Sequence, residues 1–420
     1  MNTRFIKERL IAMNFLEFAV WGAYLISMGG YLAQNGLGPN IGLFYAVGGV
    51  VSIFMPAIVG IIADRWVPAQ KMLSICHFVA ATAMVALGVM GLNGVVTFEA
   101  IFPVFILSVA AYMPTLALSN SVSYNALERA GLDTVKAFPP IRIFGTIGFI
   151  VSMLMVDFLG WQKSENQFFL SATWGFILTG YALTLPACPV AESGEKKSLS
   201  EALGLNAFRL FAQKRMALFF IFSMLLGVSL QITNAYANPF IDSFSAIDQF
   251  KDVYFVQHAN LLISLSQMSE TLCILLIPFF LKRFGIKTVM VIAMLAWVLR
   301  FGFFAIGDPG FPGVLFFILS MIVYGVAFDF FNVSGSLFVD KETNSSMRSS
   351  AQGLFMLMTN GIGASVGTLV AQVVVNKFVS NMDGKMIGDW TSVWFIFAAY
   401  ALVVVVSFML IFREKREKAV

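Results

Sequence analysis

The chain has 420 residues, of which 59% are hydrophobic and 12% charged, and its mean hydropathy is +0.83. An ordinary soluble domain has about 45–50% apolar and about 25% charged residues, so this composition excludes one and requires lipid around the fold. The net charge of +4 is spread through the loops, which argues against nucleic acid as a partner. The three cysteines lack metal-ligand spacing, and we expect no metal and no cofactor.

Twelve apolar segments follow one another along the chain. They cover residues 10–33, 41–63, 72–93, 99–127, 138–160, 167–189, 216–243, 255–281, 287–306, 311–339, 348–376 and 391–412. Each is long enough to cross a bilayer as an α-helix, which takes about 20 residues. The sequence therefore predicts an all-α membrane protein with twelve transmembrane helices.

The Lys and Arg residues are divided unequally between the two sides of these helices. If the N-terminus is cytoplasmic, 21 of the 27 lie in inside loops and four lie in outside loops. Positive residues are enriched in cytoplasmic loops. Both termini are therefore expected in the cytoplasm.

The longest polar stretch, residues 189–215, follows the sixth helix and divides the chain into two halves. We predict an N-terminal six-helix bundle, a cytoplasmic linker and a C-terminal six-helix bundle at residues 1–190, 191–215 and 216–420. Residues 199–211 are a candidate for a short amphipathic helix on the cytoplasmic surface.

The two halves share a short pattern that indicates internal repetition. Residues 106–108 read Ile-Leu-Ser, and the same three residues recur at 318–320. Tyr112 and Tyr324 follow at the same offset of 212 residues, which places helix four opposite helix ten. Related halves are typical of transporters whose site lies at the midplane between them.

Five ionisable residues fall inside the apolar segments, where a charge is costly and must face a partner or a wet cavity. They are Glu17, Arg142, Glu270, Arg300 and Asp329. We expect Arg300 to form a structural pair, because its helix has no other polar stripe. The lone His77 is interpreted as a packing residue.

Arg142 shares one face of helix five with Thr146 and Phe149, at i+4 and i+7. A cation, a hydroxyl and an aromatic ring suit a ligand that has polar edges and a π-system. Arg142 is also only about one turn into its helix, so snorkelling to the interface is an alternative.

Carboxamides and carboxyls form further polar faces in the second half. Helix seven carries Gln231, Asn234 and Asn238 at i, i+3 and i+7, and helix eight pairs Gln267 with Glu270. In helix ten, Asp329 shares one face with Asn332 and Ser336, and Tyr324 and Phe328 share a neighbouring face. Carboxamides can donate to and accept from a polar solute, although hydrogen bonding between helices is the alternative.

Three carboxyls are candidates for proton coupling: Glu270, Asp329 and Glu17. A carboxyl in an apolar cavity exchanges its proton nearer neutral pH than one in water. The alternative for Glu270 and Asp329 is a permanent ion pair with an arginine. No phosphate-binding loop or nucleophile motif is present, so we expect a secondary transporter and not an enzyme.

The turn after helix two reads Gly60-Ile-Ile-Ala-Asp64-Arg65 and resembles the loop signature of the major facilitator superfamily. This resemblance implies that Asp64 and Arg65 steady the closed cytoplasmic gate. The alternative is two solvated loop charges.

Longer strings resemble the nucleoside:proton symporter family of that superfamily. They are FPPIRIFGTIGFI (138–150), FFIFSMLLGVSLQITNAY (219–236), SQMSETL (266–272), SMIVYGVAFDFFNVSGSLFVDKE (320–342) and SSAQGLFMLMTNGIG (349–363). The resemblance implies a twelve-helix protein that imports purine and pyrimidine nucleosides with protons. We expect it to act as a monomer in the inner membrane.

The resemblance also implies a central site. It contains Arg142, Thr146, Phe149, Gln231, Asn234, Gln267, Glu270, Tyr324, Phe328 and Asp329. Phe149 or Phe328 would stack on the base. Relatives usually carry Gln at the position of Glu17, so this carboxyl either changes substrate choice or supplies another proton site.

Two other functions stay open at this point. A sugar or oligosaccharide symporter would also use carboxamides and Trp21, although the Phe-rich site favours a base. A non-transporting membrane receptor or enzyme subunit is the second alternative, and the short linker argues against it because it leaves little room for an output domain.

Overall fold

A computed structural model describes residues 5–188, 205–344 and 347–412, and helices make up almost all of it. We number the membrane helices α1 to α12. They are α1 (Ile6–Gly22 and Met28–Gln34), α2 (Ile41–Arg65), α3 (Ala69–Leu92), α4 (Phe98–Arg129), α5 (Thr134–Phe158), α6 (Asn166–Thr184), α7 (Lys214–Leu230 and Ile232–Ser243), α8 and α9 (both within Ala259–Ile306), α10 (Val314–Glu342), α11 (Arg348–Met356, Leu357–Gly363 and Ala364–Phe378) and α12 (Trp390–Ile411).

Nine helical stretches of the described chain are long and apolar enough to span a membrane. The longest, Ala259–Ile306, has 48 residues and would be about 72 Å long at 1.5 Å per residue, more than twice the hydrocarbon thickness. It breaks at Gly285, whose φ of 76° is not helical, and so forms two spans, α8 and α9. Dividing this stretch into α8 and α9 turns the nine stretches into ten spans, and α1 and α6 bring the described chain to twelve. The structure thus confirms the predicted twelve-helix membrane fold.

Helices α1 and α7 are both interrupted partway along their length. Helix α1 breaks between Gly22 and Met28, and α7 breaks at Gln231. Helix α11 contains a widened π-helical segment, Leu357–Gly363, a form that is frequent at functional sites. Irregular backbone at membrane depth occurs where it is buried in protein or lines a cavity, so these breaks point to the centre of the molecule.

Equivalent helices approach each other closely in both halves. A Cβ on Gly148 of α5 would lie 2.1 Å from the carbonyl oxygen of Phe15 in α1. A Cβ on Gly227 of α7 would lie 2.3 Å from the carbonyl oxygen of Thr359 in α11. Only glycine allows backbones to approach this closely, and both contacts pair the first helix of a half with its fifth.

The internal repeat also recurs in the side-chain contacts. Ser108 of α4 donates to the carbonyl of Ala80 in α3 (3.2 Å), and Ser320 of α10 donates to the carbonyl of Arg300 in α9 (2.9 Å). Tyr112 lies edge-on to His77, and Tyr324 lies edge-on to Trp297, both with ring centroids 5.9 Å apart. The α3 and α9 positions, 77 with 297 and 80 with 300, share one offset of 220 residues.

The two halves meet where α1 faces α7, α2 faces α11 and α5 faces α8. A two-stranded antiparallel hairpin, β1 (Val379–Met382) and β2 (Lys385–Gly388), connects α11 to α12. Most of the predicted linker lies outside the described residues. Its described part includes a 3₁₀ helix, Leu205–Ala212, which buries Ala207 and Leu210.

Candidate functional site

A cavity of about 1320 Å³ lies between the two halves. Its walls come from α1, α2, α4 and α5 of the first half and from α7, α8, α10 and α11 of the second. Its aromatic lining residues are Phe18, Trp21, Tyr24, Phe44, Tyr45, Phe105, Phe149, Tyr324 and Phe328. Such a cavity suits a ligand that has both a flat apolar surface and polar edges.

The cavity extends toward the end of the molecule where the described chain begins and stops. Its lining includes Ala57 near the end of α2, Asn120 near the end of α4 and Ser350 near the start of α11. All three helix ends lie on the side of the termini. We refer to this side as the inner end and to the opposite side as the outer end.

Side chains from both halves close the outer end. Asp157 at the end of α5 has Oδ2 2.8 Å from His258 Nδ1, and its Oδ1 accepts from the backbone N–H of Asn260 (3.2 Å). Asn238 of α7 donates to Gln162 Oε1 (2.9 Å), and Asn260 donates to Ser27 Oγ (2.7 Å). We call this set the outer latch: Ser27, Asp157 and Gln162 from the first half, with Asn238, His258 and Asn260 from the second.

Two more contacts join the halves at the outer end. Lys163 and Asp242 form an ion pair of 2.6 Å. The β1–β2 hairpin contacts the end of α1, because Asn381 donates to the carbonyl oxygen of Ala33 (3.0 Å). The cavity is therefore closed at its outer end in this conformation.

Helix α5 contributes Arg142, Thr146 and Phe149 to the cavity, as the shared helix face predicts. The Arg142 guanidinium carbon lies 3.9 Å from the centroid of the Phe18 ring. Glu270 and Asp329 are charged neighbours of Arg142, but within the described chain no carboxylate oxygen lies within 4.0 Å of it. Arg142 thus lies in the cavity with donors available to a ligand.

Helices α7 and α8 contribute Gln231, Asn234, Gln267 and Glu270. Asn234 donates to Gln231 Oε1 (2.9 Å), so one carboxamide orients the other. The third carboxamide of the predicted α7 stripe, Asn238, belongs to the outer latch instead, where it is 2% exposed.

Helix α10 contributes Tyr324 and Phe328, whose rings are stacked with centroids 5.7 Å apart and an interplanar angle of 16°. Asp329 does not line the cavity: it is 6% exposed, and its Oδ2 has no hydrogen-bond partner among the described residues. Glu270 and Arg142 are its charged neighbours. The structure therefore brings nine of the ten predicted binding residues to one cavity and leaves Asp329 buried beside it.

Glu17 lies outside the cavity in a fully buried cluster of the first half. His77 Nε2 is 2.8 Å from Glu17 Oε2, and Thr115 donates to Glu17 Oε1 (2.5 Å). Tyr112 donates to the backbone carbonyl of Glu17 (2.9 Å). The interpretation of His77 as a lone packing residue is wrong, since it pairs with a carboxyl 60 residues earlier in the chain.

The structural pair predicted for Arg300 is also absent from the described chain, where no carboxylate lies within 4.0 Å of its guanidinium. Arg300 donates instead to the hydroxyl of Ser266 and the carbonyl of Ser320. The described residues contain no cluster of three His, Cys, Asp or Glu side chains that could hold a metal ion. The side chains of Asp64 and Arg65 lie outside the described part of the chain.

Sequence reasoning missed cavity residues in helices that it treated as apolar. Asn360 lies in the π-helical segment of α11, Ser350 near its start, and Tyr45 and Ser52 in α2. An asparagine within an apolar segment was an available signal for Asn360. The tyrosine and the serines carried no such signal, because single residues of these types are common in membrane helices.

A family model described as nucleoside H+ symporter matches residues 1–417. The chain belongs to the nucleoside H+ symporter family. The symporter is 49% identical to the xanthosine permease of Escherichia coli K12 over 98% of this chain and 97% of the relative. It is 47% identical to the nucleoside permease NupG of the same strain, over 98% and 96% of the two chains.

The structure of the symporter is similar to a crystal structure of an aspartate-to-alanine variant of the nucleoside transporter NupG. The TM-score is 0.91 at 46% identity, and the match covers 97% of this chain and 100% of the other. The symporter is thus a proton-coupled nucleoside importer with the major facilitator fold in the inner membrane, and not an enzyme. The sugar-transporter and receptor alternatives are not favoured.

Proposed function

We propose that the cavity between the halves is the nucleoside site of this symporter, for both purine and pyrimidine nucleosides. The observation that carries the proposal is the meeting of nine polar and aromatic side chains in one cavity, contributed by α5 of the first half and by α7, α8 and α10 of the second. The names of its relatives, a xanthosine permease and a nucleoside permease, support the substrate class.

In this proposal, the aromatic rings and the polar side chains recognise different parts of the nucleoside. Phe149 and Phe328 offer apolar faces on which a base can stack, a contact worth about 1–3 kcal/mol per base, and Tyr324 contributes further aromatic surface to the cavity wall. Gln231 and Gln267 offer both donors and acceptors to the ribose hydroxyls and base edges. A sugar would use only the second group, so the aromatic share of the lining favours a nucleoside.

Proton coupling in this proposal uses Glu270, Asp329 and Arg142. Two carboxylates close together in a low-dielectric site resist ionising together, and one guanidinium balances only one of them. Binding one proton leaves a cluster without net charge, which can move through the membrane interior at lower cost. Glu17 is a third candidate, already paired with His77 away from the cavity.

Transport requires the two halves, residues 1–190 and 216–420, to move against each other as six-helix bundles around the site. We place both termini in the cytoplasm, so the described conformation is open inward and the outer latch opens when the site turns outward. Because all cavity residues come from one chain, a monomer suffices for this cycle.

The decisive experiment measures uptake of labelled uridine, adenosine and xylose into proteoliposomes under imposed gradients. One net charge moved through 100 mV is worth about 2.3 kcal/mol, which at about 1.4 kcal/mol per tenfold supports roughly 40-fold accumulation. We expect both nucleosides, but not xylose, to accumulate and to compete with each other, and Arg142→Ala to reduce competition. If nucleoside binding is unchanged by substitutions at Arg142, Gln231 and Tyr324, the nucleoside site lies elsewhere in the protein.

A further inference from the structure

Arg300 is a buried cation that the transport cycle described above does not use. It is 2% exposed and lies six residues before the last residue of α9, Ile306. Its Nη1 donates to Ser266 Oγ of α8 (3.2 Å) and to the carbonyl of Ser320 in α10 (2.8 Å), and Ser320 Oγ donates back to the carbonyl of Arg300. A buried guanidinium without an acidic partner is expensive to maintain in a membrane, so its contacts call for an explanation.

The guanidinium lies against an aromatic ring of the nucleoside site. Its central carbon is 4.4 Å from the centroid of the Tyr324 ring, within the range of a cation–π contact. Tyr324 lines the cavity, whereas Arg300 does not. Trp297 also packs edge-on against Tyr324, at 89°, and Phe328 stacks on the same ring, so three side chains hold Tyr324 in the cavity wall.

The two groups that accept hydrogen bonds from Arg300 are close in the sequence to other residues of the site. Ser266 directly precedes the cavity residue Gln267 in α8. Ser320 lies four residues before Tyr324, so its carbonyl is the one that accepts the helical hydrogen bond of the Tyr324 N–H. One guanidinium therefore fixes α8 and α10 at the level where both present side chains to the cavity.

The internal repeat argues that the fold itself does not need this arginine. The equivalent position in the first half is Ala80, whose carbonyl accepts from Ser108 just as that of Arg300 accepts from Ser320. The same pair of helices thus packs with an alanine at this position, and among the described residues no Lys or Arg lies over the face of the equivalent ring, Tyr112. The arginine is a feature of the second half alone, beside the ring that faces the cavity.

We infer that Arg300 is a positioning residue for nucleoside recognition, which acts by holding the Tyr324 ring in the geometry that contacts the nucleoside. The inference rests on the proposed nucleoside site. Arg300 itself does not contact the substrate, so its influence passes through Tyr324.

The test is a double-mutant cycle on uridine and adenosine affinity, measured by equilibrium binding to the purified full-length protein. Arg300→Met keeps the length and removes the charge, and we expect affinity to fall about tenfold, within the range of a buried cation–π contact. Arg300→Lys keeps the cation and should recover part of the loss. In a Tyr324→Leu background, Arg300→Met should produce no further loss, because the ring it acts through is gone.

The outcomes separate this inference from the proposed site. Unchanged affinity after Tyr324→Leu alone would refute Tyr324 as part of the nucleoside site. If Tyr324→Leu lowers affinity and Arg300→Met lowers it further by its full single-variant effect, the proposed site stands but the role of Arg300 is overturned. Thermal melting of each variant checks folding, and if the methionine variant does not fold, the cycle is run with Arg300→Lys, where full additivity again overturns the inference.

Discussion

Removing the Asp157 carboxylate should shift the protein toward its outward-open state. In Asp157→Ala, the outer latch loses two contacts between the halves, the one to His258 Nδ1 at 2.8 Å and the one from the Asn260 N–H at 3.2 Å. Both involve a charged acceptor that is 2% exposed. Opening the outer end would separate these groups, so we expect their loss to destabilise the closed state and not the open one.

The magnitude follows from these two bonds. A hydrogen bond to a charged group contributes about 1.5–3 kcal/mol, and we take the lower value for each because His258 is partly exposed to solvent. Together they amount to about 3 kcal/mol. At about 1.4 kcal/mol per tenfold, the ratio of outer-closed to outer-open molecules should fall on the order of 100-fold.

The assay is labelling of a cysteine in the cavity by a membrane-impermeant maleimide added to intact cells from outside. Thr146→Cys is the reporter, in a background where the native cysteines, all buried in the described chain, have been replaced. We expect slow labelling in the parent and a large increase with Asp157→Ala. The result that would refute the reasoning is a labelling rate that does not change.

A matched control comes from the same end of the molecule. Asp308 lies in the loop between α9 and α10, and its carboxylate accepts from the Gly310 N–H (2.7 Å) within the second half only. Asp308→Ala should leave outside labelling unchanged. An equal increase in both variants would mean that general loosening of the loops, and not the outer latch, controls access.

Three further predictions follow. Asp329→Asn should allow uridine to equilibrate but not to concentrate against its gradient, and accumulation equal to wild type in vesicles would exclude Asp329 as an essential coupling group. Arg142→Ala should weaken uridine binding about 10- to 100-fold, the value of a hydrogen bond from a charged group, whereas unchanged affinity would restore the snorkelling interpretation. Hydrogen bonds from Ser392 hold the pKa of Asp389, which caps α12, below its usual range, so this cap stabilises the fold above the ordinary carboxyl pKa and is lost as pH falls through the lowered value. Asp389→Ala should therefore lower the melting temperature near neutral pH and converge with the parent at acidic pH, and a pH-independent difference would contradict this account.

The helices could be predicted from the sequence because a helix that spans a bilayer needs about 20 consecutive apolar residues. Few other structures contain apolar segments of that length. The interruptions of α1 and α7 could not be predicted, since no proline or glycine lies at residues 23–27 or at residue 231 to mark them. What determines those breaks is packing across the molecule, such as the approach of Gly29 in α1 to the carbonyl oxygen of Ala235 in α7.

The cavity residues could be predicted where helical periodicity alone decides which residues share a face. Asp329 is placed among them by the family resemblance, although it does not share a helix face with Tyr324 and Phe328. Phe328 lines the cavity, and the next residue of a helix points about 100° away from it, so the carboxyl is buried behind the wall. Pairs that are distant in sequence, such as Glu17 with His77 and Asp157 with His258, were beyond reach, because no local pattern encodes them.

If Glu270 and Asp329 carry the coupling proton, as proposed above, the size of the cavity determines how that proton leaves the molecule. About 1320 Å³ is room for several tens of water molecules at about 30 Å³ each, and this space extends from Glu270 toward the inner end. A hydrated vestibule lets Glu270 release its proton directly to solvent, without a chain of relay side chains. Asp329 is buried away from that vestibule, so in this proposal it would pass its proton through Glu270, and the two carboxyls would exchange protons with the inner side one after the other.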